Sequence, residues 1–234
     1  NNDTYNATFV YPKHGAIQYV DSIASHVNTE AICLNEAVVS IQPKNHTITL
    51  LSGETIRYDR LISSAPFPKF LELIGEPMNP ALSWNQVLVF NIGFDKQSLD
   101  TKNHWIYFPE DKYCFYRVGF YSNILGTDRC SLYVELGFDK DATITPEDLL
   151  HRVLHDLQEA QIISADMKVI DHETIIMNPA YVHVSAEATQ YVAQMKEYLA
   201  QQDIYSIGRY GSWTYCSIED NIIEAKDLAK ALNG

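Results

Sequence analysis

The run Gly208-Arg-Tyr-Gly-Ser-Trp-Thr-Tyr215 sets one arginine between two glycines, with three aromatic side chains beside it. Glycines on both sides let a bound group come close to the backbone, and a guanidinium there would hold an anion. Just beyond, Glu219, Asp220 and Asn221 open a helical pattern, where free N–H groups favour a phosphate. A second arginine stands mid-chain. The segments Asn103-His-Trp-Ile-Tyr-Phe-Pro-Glu110, Phe115-Tyr-Arg117 and Tyr121-Ser-Asn123 set Arg117 among aromatics on strand-like runs. That surface could floor a flat or sugar-like ligand, although aromatic-rich strands are more often core than site.

Other constellations carry less. His151 and His155 lie four apart on a helical pattern, yet Arg152 stands where an H-E-x-x-H zinc enzyme has its glutamate. A solvated helix face is the simpler reading, and no metal is expected. Asp139-Lys-Asp141 lacks the glycine and closing glutamate of a calcium loop and reads as a turn. The chain contains no G-x-S-x-G elbow and no P-loop. It also contains no G-x-G-x-x-G, so these residues offer no dinucleotide-phosphate cradle of that kind.

Charge narrows the partners. The net charge is −13 and the sequence pI about 4.9, which repels nucleic-acid backbones, and no basic run offsets it. With only six arginines, an anion must be held locally against an unfavourable field. Cys33, Cys114, Cys130 and Cys216 are scattered without a C-x-x-C pair, which points to reduced, buried thiols. Sequons begin at Asn2, Asn6 and Asn45, but no signal-like leader accompanies them, so a cytoplasmic protein without a membrane span is expected. The chain opens on Asn1 rather than methionine, and a piece of a longer protein is expected.

The elements that must position these residues follow from periodicity. A short extended run over 7–12 leads to an amphipathic helix over 17–27, with Ile17, Val20, Ile23, Ala24 and Val27 on one face. Strands are expected at 38–41 and 48–51, joined by the turn Pro43-Lys-Asn-His46, and then from Ile56 through Ile62. A short helix should span 67–74. Four β-rich runs, 87–94, 105–108, 114–121 and 131–138, read as an antiparallel sheet. Thr145-Pro-Glu-Asp148 starts a helix, 169–177 reads as a strand, 189–200 as a helix and 204–207 as a short strand. The last helix, 219–232, should turn Ile222, Ile223, Ala225, Leu228, Ala229 and Leu232 inward. The class is α+β.

These segments also carry a resemblance. Tyr11-Pro-Lys-His-Gly15 with its helix, the strand from Asn35 to Ile41 and Leu61-Ile-Ser-Ser-Ala-Pro66 resemble the flavin-containing amine oxidase superfamily. The H-W-I-Y-F-P-E-D, F-Y-R, Y-S-N and G-R-Y-G-S-W-x-Y segments are similar, in the same order, to its subgroup of UDP-galactopyranose mutase-like and protoporphyrinogen oxidase-like proteins. The likeness spans nearly the whole chain, and Gly208 to Tyr215 is its most specific piece.

The resemblance implies the following roles. Arg117, Tyr181 and Tyr215 would contact a substrate diphosphate, with Tyr107 and Asn123 also facing substrate. Val38 would pass the adenine end of FAD, while Gly208, Arg209, Gly211 and Trp213 would lie by the flavin and Asp220 by its ribityl-phosphate portion. After Tyr215, however, Ser217-Ile-Glu-Asp220-Asn221 replaces the mutases' G-N-Q-D-H-type run. The implied organisation is an incomplete FAD-binding domain, 1–66 and 201–234, around a substrate domain, 67–200, with a mostly antiparallel central sheet flanked by helices. The expected parent is an FAD-dependent enzyme acting on a small anionic substrate such as a nucleotide-sugar, this chain alone binding FAD weakly and being inactive. A hydride-abstracting oxidase of amine or protoporphyrinogen type and a non-catalytic binding module are the alternatives. Apolar surface left by the missing half could be covered by self-association.

Overall fold

The computed structural model describes residues 9–234. The sequons at Asn2 and Asn6, and the first two residues of the extended run, lie outside the described residues. The helices are α1 (Ile17–Ala24), α2 (Phe67–Ile74), α3 (Tyr121–Leu125), α4 (Pro146–Glu159), α5 (Ala186–Ala200), α6 (Gly208–Gly211) and α7 (Ile218–Asn233). The strands are β1 (Val38–Gln42), β2 (Thr47–Leu50), β3 (Thr55–Arg57), β4 (Leu61–Ser63), β5 (Asn85–Phe94), β6 (Trp105–Tyr107), β7 (Arg117–Phe120), β8 (Ser131–Asp139), β9 (Val169–Met177) and β10 (Ile204–Ser206). The fold is α+β, with antiparallel sheet flanked by helices. No helix among the described residues is long and apolar enough to cross a membrane.

Two compact units divide the chain. The first takes Asn1–Asn35, Phe90–Glu135 and Pro146–Thr174; the second takes Glu36–Val89, Leu136–Thr145 and Ile175–Gly234. The second unit's core draws on residues from both sides of positions 66 and 200. Phe67, Phe70 and Leu71 of α2 are buried in one cluster with Ile41 of β1, Val192 and Leu199 of α5, Ile204 of β10 and Trp213.

The five-stranded sheet has the order β6-β7-β8-β5-β9, and the first unit holds β6, β7 and residues 90–94, 131–135 and 169–174 of the other three strands. The β6–β7 and β7–β8 pairs are antiparallel, with Tyr107 opposite Arg117 and Arg117 opposite Glu135. Phe90, Ile92, Phe94, Phe115, Val118, Phe120, Leu132 and Val134 are buried to 2% exposure or less. Each such side chain contributes roughly 1.5–3 kcal/mol through its removal from water. Helix α4 starts with Pro146 and acids that suit its dipole, and buries Val153 and Leu157.

The second unit holds a three-stranded antiparallel meander, β1-β2-β3, and a separate two-stranded parallel sheet, β4 with β10. The expected single strand from Ile56 through Ile62 is therefore two strands in different sheets, broken at 58–60. Helix α2 stops at Gly75, whose φ of 79° suits glycine and lets the Glu76 N–H reach back to the Leu71 carbonyl at 2.9 Å.

Two helices meet the periodicity but not its inward face. In α1 no residue is buried, and Ile17, Val20 and Ile23 are well exposed. In α7 the expected inward residues Ile222 and Ile223 are exposed, whereas Asn221, Glu224, Leu228 and Leu232 are half-buried. Hydrogen bonding turned this helix: its inward side carries the two polar side chains that hold the preceding turn. The cysteines are free, but only Cys130 is buried; Cys114 and Cys216 are half-buried and Cys33 is exposed.

Candidate functional site

In the second unit the Gly208–Tyr215 run folds as the single turn α6 followed by a reversal into α7. Gly208 has φ 82°, a conformation that needs glycine. Gly211 is required for another reason: a Cβ there would sit 2.9 Å from Ser206 Oγ and 3.1 Å from the Ser63 carbonyl. Helix α7 clamps the turn. The Gly208 N–H donates to Glu224 Oε2 at 2.7 Å, the Arg209 N–H to Asn221 Oδ1 at 2.9 Å, and Ser212 Oγ to Glu224 Oε1 at 2.6 Å. Lys196 of α5 donates to Ser212 Oγ at 2.8 Å and pairs with Glu224 at 3.3 Å. Burial pushes the Glu224 carboxyl up, but the Ser212, Gly208 and Lys196 donors outweigh it and hold the group below its ordinary value.

Arg209 projects between two tyrosines. Its guanidinium carbon is 4.6 Å from the Tyr215 ring centre and 5.6 Å from that of Tyr181, and Nη1 donates to the Cys216 carbonyl at 3.2 Å. No carboxylate pairs with it among the described residues. Asp220 closes a capping box. Its carboxylate accepts from the Ser217 N–H at 2.7 Å and Ser217 Oγ at 2.8 Å, and its N–H donates to Ser217 Oγ at 3.1 Å. Those bonds hold the Asp220 carboxyl below the ordinary carboxylate value. Among the described residues the first two N–H groups of α7, on Ile218 and Glu219, have no acceptor, as helix geometry dictates.

Trp213 is 3% exposed, meets Trp84 edge-on at 5.7 Å and has φ 50°, an uncommon conformation for a bulky residue. Together with Pro66, Met78 and Pro179 the two indoles line an apolar cleft of about 500 Å³. Val38 opens β1 opposite Leu50 and packs against the unit's core.

In the first unit, β6, β7 and β8 carry the second arginine. Arg117 pairs with Glu135 across the β7–β8 ladder, donates through Nη1 to Tyr107 Oη at 3.2 Å, and lies over the Tyr107 and Tyr133 rings at 5.6 and 5.9 Å. Tyr116 Oη donates to the other Glu135 oxygen. The Glu135 side chain is only 6% exposed. Burial pushes the Tyr133 phenol up to about 12, with Arg117 opposing and Glu135 adding to the shift. Opposite it, Gly119 leaves the space the ring fills: a Cβ there would lie 1.8 Å from Tyr133 Cζ. Asn123 spends its amide on the Asp100 and Asn103 carbonyls at 3.1 and 2.7 Å, holding a loop.

Helix α4 completes the picture. Buried Asp156 accepts from the Cys114 N–H and from Arg152 Nε, each at 2.8 Å, and contacts His155 Nδ1 at 3.1 Å. Burial pushes the Asp156 carboxyl up, but these partners overcome it and hold the group at about 2. Burial, reinforced by Asp156, pushes the Cys114 thiol up to about 12, which makes it inert. Among the described residues no group of three or more His, Cys, Asp or Glu could hold a metal ion.

The structure thus brings Tyr181, Arg209 and Tyr215 together in one unit, and Tyr107 and Arg117 together in the other. Sequence reading missed Glu135, Tyr133 and Glu224, and placed Asn221 at the helix start without its role as acceptor for the Arg209 N–H. For Glu135 a signal existed, a lone carboxylate within Leu132-Tyr-Val-Glu-Leu136 that had to find a cation. The second unit thus sets a glycine turn, an arginine between tyrosines without a carboxylate partner among the described residues, and a helix start side by side.

Residues 3–219 match the family of flavin containing amine oxidoreductases, and the chain belongs to that family. Its fold resembles that of reduced UDP-galactopyranose mutase at 22% identity and a TM-score of 0.78, covering 88% of this chain and 48% of that one. It also resembles a candidate protoporphyrinogen oxidase from Exiguobacterium sp. 255-15, at 15% identity and a TM-score of 0.76, covering 94% and 51%. A third likeness is to a CLA-producing fatty acid isomerase from P. acnes, at 15% identity and a TM-score of 0.65, covering 93% and 52%. The chain spans about half the length of these proteins. The family implies a flavin, and the residues present fit its polar side in part. Arg209 and the two open α7 N–H groups can face phosphate or ribityl oxygens, whereas the Gly208 and Arg209 N–H groups are already taken.

Proposed function

We propose that this chain supplies the substrate-facing sheet and the closing flavin-side turn of an FAD-dependent enzyme that acts on a nucleotide-sugar or similar anionic substrate. The observation that carries the reading is Arg209, seated between Tyr181 and Tyr215 without a carboxylate partner among the described residues. Two phenols and one guanidinium match the oxygens of a diphosphate, with charge-assisted bonds supplying the strength. The dinucleotide cradle, which these residues lack as a motif, is assigned to polypeptide outside this chain, and for that reason this chain alone should bind FAD weakly and be inactive. FAD, when bound, supplies the redox-active ring at which a sugar bond is rearranged or a hydride removed. This chain's residues hold the anion at Arg209 and orient the rest of the substrate.

Calorimetry tests the reading. UDP should bind, and Arg209→Ala should weaken it at least tenfold, with a smaller loss for Tyr181→Phe. Riboflavin 5′-phosphate, titrated separately, distinguishes a cofactor phosphate from a substrate diphosphate at the same arginine. Equal UDP affinity in the wild type and in Arg209→Ala would sink the proposal. The Arg117–Glu135 pair favours the oxidase alternative, since a hydride donor needs no diphosphate at Arg117.

A further inference from the structure

Arg117 is the arginine that the resemblance assigns to a diphosphate, yet it is the one whose charge is cancelled. Glu135 faces it directly across the β7–β8 ladder, and the two form an ion pair with side-chain exposures of 22% and 6%. Tyr116 Oη donates to the second Glu135 oxygen, so both oxygens of the carboxylate are held. Three phenols share this face, with Trp105 opposite Gly119. Tyr107 accepts from Arg117, the Tyr133 ring covers Gly119, and Tyr121 stands 5.0 Å from Tyr133. A pair this buried is screened little by solvent, so an incoming dianion meets a guanidinium whose charge the adjoining carboxylate already offsets. Opposed like charges are a strong means of rejecting a wrong ligand.

We propose that Glu135 is a specificity-determining residue: by pairing with Arg117 it excludes phosphate dianions from the β6–β7–β8 face and leaves there a subsite for an uncharged, hydroxyl-bearing group. This rests on the reading of that face as substrate-facing. Truncating Glu135 exposes the guanidinium to an anion, whereas removing Arg117 as well leaves nothing for the anion to bind.

The test is calorimetry with inorganic pyrophosphate on the whole chain in an Arg209→Ala background, so that the second unit's arginine does not contribute. Arg209→Ala alone should show no pyrophosphate binding attributable to Arg117. Adding Glu135→Gln should tighten binding at least tenfold, and adding Arg117→Ala to that variant should abolish the gain. The proposal is overturned if Arg209→Ala protein already binds pyrophosphate in a manner that Arg117→Ala removes. It is equally overturned if folded Glu135→Gln protein gains nothing. Should circular dichroism show that Glu135→Gln does not fold, Glu135→Ala removes the charge without leaving an amide in its place; an Arg117-dependent gain is expected, and no gain overturns the proposal. The Arg209 dependence of UDP binding is a separate measurement, so loss of that reading and loss of this one are distinguishable.

Discussion

At the residue scale, carboxylates decide what the two arginines can do. Arg117 meets Glu135 and is neutralised; among the described residues Arg209 meets two ring faces and a carbonyl. A third carboxylate, Asp156, acts on stability. Its carboxyl is held at about 2, below its ordinary 3.8, by Arg152, the Cys114 backbone and thiol, and His155. A depressed carboxylate contributes stability that is fully present above the unfolded value and is lost as pH falls through the folded one. The contribution is about 2 kcal/mol near neutrality. Denaturation midpoints of wild type and Asp156→Asn should therefore differ at pH 6 and converge as pH falls from 5 towards 2. A constant difference across that range would show that Asp156 acts through packing alone. Gly119 offers a second residue-scale prediction. Gly119→Ala forces the Tyr133 ring off the sheet and should destabilise by about 1–3 kcal/mol, as overpacking does, with a lower thermal midpoint.

At the element scale, the turn α6 is only as rigid as the helix that clamps it. Glu224 takes the Gly208 N–H, the Ser212 hydroxyl and the Lys196 ammonium together. Glu224→Ala should leave a half-buried N–H unpaired, cost on the order of 1–3 kcal/mol, and speed amide hydrogen exchange at 208–212 more than in α5. Unchanged exchange there would place the turn's rigidity elsewhere. The sequence made most elements legible, since amphipathic periods and turn residues are local signals; 67–74 and 169–177 emerge with the expected bounds. It misjudged the rotation of α7, because apolar spacing cannot foresee that Asn221 and Glu224 are needed inward as acceptors. It also ran β3 and β4 together, because the pairing of β4 with β10 depends on residues far along the chain. Of the candidate site, the glycine turn was legible from composition, while Glu135 opposite Arg117 emerged only with the strand register.

At the scale of the whole molecule, apolar side chains stay in solvent on several elements. Ile218, Ile222 and Ile223 on α7 and Ile62 on β4 are each about half exposed. Replacing Ile218 and Ile222 with glutamine should reduce binding of a dye such as anilinonaphthalene sulfonate without lowering the thermal midpoint. A fall in the midpoint would mean that this face is packed in solution. The β4–β10 pair has a further consequence, for synthesis. The first unit's segments end at Thr174, whereas the second unit's parallel pair joins Leu61–Ser63 to Ile204–Ser206. Closing so long a loop is slow, and domains tend to fold in the order in which they leave the ribosome. The meander at 38–57 is thus made early, while α2 waits with Phe67, Phe70 and Leu71 uncovered until α5 and β10 emerge. During that interval a nascent chain would be a natural client for a holding chaperone.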